Sequence, residues 1–317
     1  MPTKSMLLIA NPRSGQGKFV DDFFGLVEFF VKQGFEVTVY PTTGPRHAHQ
    51  VTLERAGGFD YLVCCGGDGT LNEVISALML LERRPLLGHI PYGSSNDFAA
   101  THGLLADVMK GAQLVADGKP TAIDIGAFQE DRFFCYVAAF GLFSDVSYDT
   151  PQSRKNVLGH LAYVLQGVKK LGSIRHHSCR IELDGEVIED DFIFGMIANS
   201  RSVGGFGLPF EIDVCLDDGE FELVLLRRIH TLEKLAGVIS TLLGGKGPPD
   251  SSFVMRRAKN VRIICDKAIS WSIDGEYGGS HKVTEITARQ KAIEIITPHD
   301  TAAPAKKGRR TLRPRTE

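Results

Sequence analysis

A short apolar segment followed at once by a glycine-rich turn constrains this fold more than any other part of the sequence. Residues 61–65 form a run typical of a buried strand, and Gly66-Gly67-Asp68-Gly69 turns the chain directly after it. Apolar residues then recur at helical spacing from Leu71 to Leu81. Thr70 and Glu73 have the spacing of a helix capping box. We therefore predict a strand, a glycine turn and the N-terminus of a helix.

A turn of this kind can bind phosphate. Backbone N–H groups and the positive end of the helix dipole face an anion there, and glycine places no Cβ in its way. Asp68 would repel a phosphate unless a cation lay between them, which indicates Mg²⁺-bound phosphate rather than a bare anion. A tight turn whose glycines serve only geometry is the alternative, and two further turns of the same type weigh against it.

The two further turns also follow predicted strands. Asn11-Pro12-Arg13-Ser14-Gly15 comes after a strand at residues 5–10, without the spacing of a Walker motif. The segment from Pro91 to Ala99 comes after a strand at residues 86–90. Strands and helices that alternate in this way predict a parallel sheet. Ligands of such sheets bind beyond the carboxyl ends of the strands, where the three turns should meet.

The second half of the chain has a different pattern. From Thr121 onward, short β-like runs recur, interrupted by predicted helices at residues 155–171 and 232–243. Asp184-Gly185 has the pattern of a hairpin turn. We predict an α/β domain over residues 1–125, a β-rich sandwich or curled sheet over 126–297, and a basic, disordered tail over 298–317.

Composition excludes several classes of protein. A chain of 317 residues can form two domains, and its net charge of −2 does not favour a nucleic-acid partner. Its six cysteines lack a Cys-x-x-Cys pair, which favours buried thiols over disulfides or zinc. The first residues show no signal-peptide pattern, and no apolar run approaches the ~20 residues of a membrane span. We expect a cytoplasmic protein.

With the three turns and Ile273-Asp274-Gly275-Glu276 taken together, the chain resembles the diacylglycerol kinase catalytic-domain family. That family includes bacterial soluble lipid kinases and the sphingosine and ceramide kinases. Ser94 stands where the family usually has Thr and keeps the hydroxyl. The resemblance implies a nucleotide-binding α/β domain of the NAD kinase and diacylglycerol kinase type, a β-rich second domain, and catalysis between them with ATP and Mg²⁺.

Carried over residue by residue, the resemblance implies roles for three groups of residues. Asp274 resembles the general base, Asp68 the partner of the catalytic Mg²⁺, and Asp97 and Asp124 other acidic positions of the active site. Asp218, with main-chain oxygens at Cys215 and Glu220, resembles a structural Mg²⁺ site. The implied nucleotide site comprises Asn11, Ser14, Gly15, Gly66, Gly67, Gly69, Thr70, Glu73, Gly93, Ser94, Asn96 and Glu276.

The expected reaction is transfer of the ATP γ-phosphoryl group to a lipid hydroxyl, foremost that of diacylglycerol. Alternatives are another lipid of the sphingosine type, a soluble acceptor such as NAD, and a catalytically silent regulator that binds nucleotide or lipid. A lipid substrate implies peripheral contact with a membrane, and a homodimer is left open. Apolar segments at residues 140–143, 156–171 and 203–210 could line an acyl-chain pocket or simply pack in the core. Arg154, Lys155, Lys169 and Lys170 could contact anionic headgroups or form a solvated helix face.

Overall fold

The computed structural model describes residues 4–17, 19–93, 96–104, 107–142, 174–200, 202–203, 206–207, 214–242 and 250–298. Several sequence predictions lie outside these residues. They are Ser94, the helix at 155–171 with the four basic residues at and near its ends, the apolar residues 143 and 208–210, and the tail beyond residue 298.

The N-terminal half alternates strands and helices. Its four strands run parallel in the order β4-β3-β1-β2, with Leu8 of β1 opposite both Val39 and Val63. Each strand ends at the same edge of the sheet, where a turn leads towards a helix. The elements are β1 (Lys4–Ala10), α1 (Phe19–Lys32), β2 (Phe35–Pro41), α2 (His47–Arg55), β3 (Tyr61–Gly66), α3 (Asp68–Leu78), β4 (Leu86–Pro91), α4 (Asp97–His102) and α5 (Val108–Asp117).

The remaining elements are mostly antiparallel strands. They are β5 (Lys119–Phe128), β6 (Arg132–Phe134), β7 (Val137–Gly141), β8 (His177–Leu183), β9 (Glu186–Ala198), β10 (Ser202–Val203), β11 (Phe206–Gly207), β12 (Phe221–Arg227), α6 (Leu232–Leu242), β13 (Phe253–Ala258), β14 (Asn260–Ile273) and β15 (Glu276–Thr297). We refer to residues 4–128 as the N-terminal lobe and to the rest as the C-terminal lobe.

Strand β15 joins the two lobes. Over its length it pairs antiparallel with β14 and β5, and near its end Ile295 pairs parallel with Leu87 of β4. Within the described residues, main-chain hydrogen bonding is therefore continuous from one lobe to the other through a 13-stranded sheet. The sequence pattern predicts a strand only at residues 293–297, because the apolar run is confined to the end of this 22-residue strand.

Apolar side chains cover both faces of the N-terminal sheet and both faces of the C-terminal strands β7, β9 and β12. One cluster lies beneath α1 and α5, and another extends from α2 and α3 to these C-terminal strands and α6. The third surrounds Trp271, whose ring is fully buried against Phe128 and Phe140. Among the described residues, no helix combines the length and the apolar character that crossing a membrane requires.

Candidate active site

The three glycine-rich turns meet at the carboxyl edge of the N-terminal sheet. Asn11 Nδ2 donates a hydrogen bond to Thr70 Oγ1 over 2.9 Å, which ties the first turn to α3. The second and third turns touch through their backbones, since a Cβ on Gly93 would lie only 2.7 Å from the Cα of Gly67. Only glycine permits this approach. The gathering of the turns predicted from the strand pattern is therefore observed.

Asn96 and Asp97 close the third turn. Asn96 has a left-handed backbone, with φ of 53°, and its side chain accepts a hydrogen bond from Gly93 N and donates one to Gly93 O. Asp97 is buried at the first position of α4. The turn is thus fixed by its own residues before any ligand binds.

Asp68 lies at the first position of α3 and faces the start of α4. Its carboxylate accepts hydrogen bonds from Asp97 N at 3.1 Å and Phe98 N at 3.4 Å. Burial raises the pKa of Asp68, and the neighbouring charge of Asp97 raises it further. Two carboxylates therefore lie close together at two helix N-termini, which is an arrangement that a cation would stabilise.

Glu73 has a different structural role from the one its spacing predicted. The prediction of a capping box at α3 is wrong, because the N-cap of that helix is Gly67 and no side chain caps it. The Glu73 carboxylate instead accepts hydrogen bonds from Arg46 N at 2.7 Å and Ala48 N at 3.1 Å. It therefore satisfies N–H groups at the start of α2, a contact between helices that local spacing cannot reveal.

Asp274 is the most completely hydrogen-bonded carboxylate of the site. One oxygen accepts from Asn72 Nδ2 at 2.7 Å and Cys135 N at 2.6 Å, and the other accepts from Tyr136 N at 3.1 Å and Val137 N at 3.0 Å. These four donors match the roughly four lone-pair positions of a carboxylate. Burial raises the pKa of Asp274 to about 6, although the four donors oppose the rise.

Asn72 links the phosphate-binding turn to this carboxylate. It lies on α3, one turn after Asp68, and its amide also donates to Phe133 O at 3.2 Å. Glu276, two residues after Asp274, also reaches α3. Its Oε1 lies 3.4 Å from the position that a Cβ on Gly69 would occupy. The Asp-Gly-Glu hairpin of the C-terminal lobe is therefore seated on the N-terminus of α3.

Asp124 is held in a different polar group. Its carboxylate is buried and accepts from Gly219 N at 2.6 Å and Lys291 N at 2.7 Å. Burial raises its pKa, and the neighbouring charges of Asp217 and Asp218 add to the rise. Asp124 thus connects β5 to the 215–220 turn and to a bulge of β15, whereas Asp68 and Asp97 lie at the three turns.

Asp218 is already paired with a cation from the protein itself. One carboxylate oxygen contacts the Arg257 guanidinium and the other accepts from Glu220 N at 3.1 Å. Arg257 also lies within 3.7 Å of Glu220 and 3.4 Å of Glu222. No group of three ligating side chains is found in the described part of the chain. The predicted structural Mg²⁺ site combines the Asp218 carboxylate with main-chain oxygens at Cys215 and Glu220 rather than three side chains, and it stays a prediction.

Besides Asn72, three residues of the site were not assigned from sequence. Tyr136 has a buried phenol whose pKa is raised well above its ordinary value, first by burial and then by the charges of Asp274, Asp68 and Asp97. Thr101 of α4 and Ser200 of the C-terminal lobe share a buried hydrogen bond of 2.6 Å. Nothing in their local sequence marks them, because their partners are distant along the chain.

The fold brings three glycine-rich turns of one lobe and an acidic hairpin of the other into one cluster, and comparisons with known proteins specify the class. Residues 5–128 match the diacylglycerol kinase catalytic domain, and residues 137–297 match the YegS C-terminal NAD kinase beta sandwich-like domain. The chain belongs to the diacylglycerol kinase catalytic-domain family.

Individual relatives agree over nearly the whole chain. It is 33% identical to the diacylglycerol kinase of Bacillus subtilis over 301 residues, which cover 94% of this chain and 98% of that protein. It is 30% identical to the diacylglycerol kinase of Staphylococcus aureus strain MRSA252 over 299 residues, covering 94% and 93%. A crystal structure of a Bacillus anthracis diacylglycerol kinase has a TM-score of 0.75 at 22% identity, covering 96% and 100% of the two chains. The protein is thus an ATP-dependent lipid kinase, a phosphotransferase with an alcohol group as acceptor.

Proposed function

We propose that this protein transfers the γ-phosphoryl group of ATP to the free hydroxyl of diacylglycerol and so forms phosphatidic acid. The observation that carries the proposal is the hydrogen bond between Asn72 and Asp274. This bond joins α3, which begins at the glycine turn, to a buried carboxylate of the other lobe. The glycine turn that would hold the phosphate donor and the carboxylate that would accept the proton therefore lie in one cluster.

The nucleotide phosphates are assigned to the turns of the N-terminal lobe. The main-chain N–H groups of Gly15, Gly67 and Gly69 and the N-terminus of α3 supply donors and a positive dipole end. The N–H of Ser14 already donates to Asn11 O at 3.1 Å, so Ser14 is assigned to this site through its hydroxyl. Asn11 holds Thr70, and Asn96 holds Gly93, so these residues keep the turns in place. Glu276 reaches this helix end from the C-terminal lobe. Positioning of this kind supplies much of catalysis in phosphoryl transfer.

Asp68 and Asp97 are the side chains that fit a catalytic Mg²⁺. Mg²⁺ in kinases is held by one or two carboxylates together with the substrate phosphates, and burial and the neighbouring charge of Asp97 raise the pKa of Asp68, a shift that a bound cation would oppose. When bound, the ion would neutralise negative charge on the β- and γ-phosphates. We assign no role to a second, structural Mg²⁺ at Asp218.

Asp274 is the proposed acceptor of the substrate hydroxyl proton. With a pKa of about 6 it is ionised at neutral pH, yet it is more basic than an ordinary carboxylate. All four of its lone-pair positions are in use, so the hydroxyl must replace one donor. Asn72 is the only one of the four on a side chain, and rotation of its amide would open the place that the hydroxyl takes.

The lipid substrate implies action at the cytoplasmic surface of a membrane, with the protein bound peripherally. The acidic and apolar residues described around the site do not by themselves distinguish diacylglycerol from another lipid alcohol. We choose diacylglycerol because the relatives are named diacylglycerol kinases. A homodimer remains a separate proposal, which sedimentation of the purified protein would test.

The proposed activity can be tested with γ-labelled ATP and vesicles that contain one acceptor each. Diacylglycerol, sphingosine, ceramide and NAD in solution form the panel, and label is counted in the organic and aqueous phases. The proposal predicts label in the organic phase with diacylglycerol. Transfer only to sphingosine or only to NAD would show that this acceptor, and not diacylglycerol, is the substrate. ATP binding without transfer to any acceptor would indicate a regulator.

A further inference from the structure

Two of the six cysteines lie in direct contact on neighbouring strands. Cys179 of β8 is opposite Cys265 of β14 in an antiparallel register. Both side chains are buried, and their Sγ atoms are 2.7 Å apart. Residues directly opposite each other in such a pair have Cα atoms about 4.5–5.5 Å apart. That separation falls within the range of about 4.4–6.8 Å found for disulfides, so the backbone need not move for a bond to form.

We propose that Cys179 and Cys265 are a reversible modification site, at which a low-molecular-weight disulfide oxidises the two thiols to a cross-strand disulfide. The Cys265 thiolate attacks one sulfur of the small disulfide, forms a mixed disulfide and releases one small thiolate. Cys179 then loses its proton to water and its sulfur attacks that of Cys265, which releases the second small thiolate. Two protein thiols are oxidised and one small disulfide is reduced to two thiols.

The order of attack follows from the positions of the two sulfurs. Cys265 ends the pairing of β14 with β8 and directly precedes the exposed residues 266–268, whereas Cys179 is paired on both sides, with Cys265 and with Asp190 of β9. In the same direction, the contact between the sulfurs lowers the pKa of the Cys265 thiol, while that contact and burial raise the pKa of Cys179. The thiolate is the reactive form of cysteine, and it therefore forms first at Cys265. The nearby carboxylate of Asp266 acts against ionisation of both thiols, and that of Asp191 acts against ionisation of Cys179.

The local strand structure gives the reagent a route to Cys265. The pairing of β14 shifts register between Ile264 and Ile269, and residues 266–268 in that bulge are exposed. Cys265 is the last residue of β14 that pairs with β8. Opening the end of a ladder next to a bulge requires the loss of few contacts. A small reagent can thus reach the sulfur without unfolding of the lobe.

The other four cysteines provide internal controls. Cys64 and Cys65 are consecutive on β3 and point to opposite faces of the sheet, into separate apolar clusters. Burial raises the pKa of both thiols. Cys135 is buried beside Asp274, and Cys215 lies on the 215–220 turn, where its thiol contacts Asp217. None of these four has a sulfur contact comparable to that of Cys179 with Cys265.

The test treats the full-length native protein with oxidised glutathione and then counts free thiols after denaturation. The proposal predicts a fall from six thiols to four, the loss of two hydrogen atoms from the intact mass, and a non-reducing peptide map that joins Cys179 to Cys265. Dithiothreitol should restore six thiols. The melting temperature should rise by several degrees on oxidation, because the cross-link constrains the unfolded chain.

Matched variants separate the proposed bond from other oxidation. Cys179→Ala and Cys265→Ala should each abolish the intramolecular cross-link and the reducible rise in melting temperature, whereas Cys64→Ala should keep both. The wild-type peptide map decides the matter if an alanine variant does not fold. Six remaining thiols, a cross-link between other cysteines, or a bond that forms only in denaturant would overturn the proposal.

Discussion

Two hairpin turns of this protein have the same sequence and the same backbone but different surroundings. Asp184-Gly185 joins β8 to β9, and Asp274-Gly275 joins β14 to β15, each as a two-residue loop. All four residues have positive φ, at 40° and 102° in the first turn and 47° and 83° in the second. This is the pattern of a type I′ turn, which Asp-Gly favours.

What packs around each aspartate distinguishes the two turns. Asp184 is exposed and accepts hydrogen bonds from Lys259 N and from the backbone and side chain of Asn260, which are neighbours within its own lobe. Asp274 is buried and is bound by Asn72 of the other lobe. The turn motif therefore sets the backbone, and the contacts between lobes set the chemistry.

The largest expected effect is loss of phosphoryl transfer in Asp274→Asn. The amide cannot accept the hydroxyl proton, so we expect activity on diacylglycerol to fall by ~10²-fold or more, the scale of general-base contributions. Asp184→Asn is the matched control and should retain activity within about twofold, since surface changes remote from the site have small effects. Initial rates with vesicles, after circular dichroism confirms folding, provide the measurement. Equal activity of the two variants would show that Asp274 has no catalytic role that Asp184 lacks.

Stability should depend on pH through Asp274. Its pKa is about 6 in the folded protein, against about 3.9 in an unfolded chain. The folded state therefore binds this proton more tightly, and the associated stability is present below about pH 4 and lost as pH rises through about 6. At 1.36 kcal/mol per pKa unit the loss is at most about 3 kcal/mol.

Urea unfolding at several pH values between 4 and 7 would measure this dependence. The decline of the free energy of unfolding with pH should be smaller in Asp274→Asn than in the wild type. Asp184→Asn, the matched variant at the exposed turn, should leave the wild-type slope unchanged. A slope that is the same in all three proteins would contradict the raised pKa.

Removal of the Asn72 amide should shift the pH dependence of catalysis. In the free enzyme its hydrogen bond lowers the pKa of Asp274, so Asn72→Ala should move the acid limb of the profile of kcat/KM against pH upward by about one pH unit, as expected for a charged hydrogen bond. The result would be a loss of roughly tenfold below pH 6 that is largely recovered at pH 8.

Asn260→Ala is the control for this shift. Asn260 makes the corresponding side-chain contact with Asp184, at 3.0 Å. The profile of kcat/KM against pH should be unchanged in this variant. A uniform loss of activity at every pH in Asn72→Ala would indicate that Asn72 only aligns the lobes.

The smallest predicted effect is one that the two turns should share. Gly185→Ala and Gly275→Ala both place a Cβ on a backbone with positive φ, which costs about 1 kcal/mol in either hairpin. No heavy atom lies within 4 Å of the new Cβ at Gly185, and only the Tyr136 hydroxyl, at 3.9 Å, does so at Gly275. Chemical denaturation should therefore give similar losses, and a much larger loss at Gly275 would show strain specific to the active site.

The sequence predicted those features that depend on local pattern. Strands β1, β3 and β4 and helix α3 follow from apolar patterns, and the meeting of the three turns follows from the rule that ligands gather at the carboxyl ends of parallel strands. The family motifs identify the glycine turn and the Asp-Gly-Glu hairpin, but they do not show that the two are in contact. Tight turns and short buried strands are encoded by neighbouring residues, which is why they could be predicted.

The features that were missed depend on contacts between distant residues. Glu73 caps α2 because that helix packs beside α3, and its spacing from Thr70 was misleading. Asn72 and Asp274 are 202 residues apart in the chain. Thr101 and Ser200, which also share a hydrogen bond, are 99 residues apart. The polar group around Asp124 and the Arg257 contact with Asp218 likewise join separate strands. Only the assembled sheet brings these residues together.

The most direct test of the account follows γ-labelled phosphate from ATP into diacylglycerol in a single turnover, with enzyme in excess over nucleotide. Wild-type protein and Asp274→Asn are compared at equal ATP occupancy, measured by equilibrium binding. The account predicts that both proteins bind ATP with similar affinity and that only the wild type transfers label to the lipid at a rapid rate. Transfer at the wild-type rate by Asp274→Asn would contradict it.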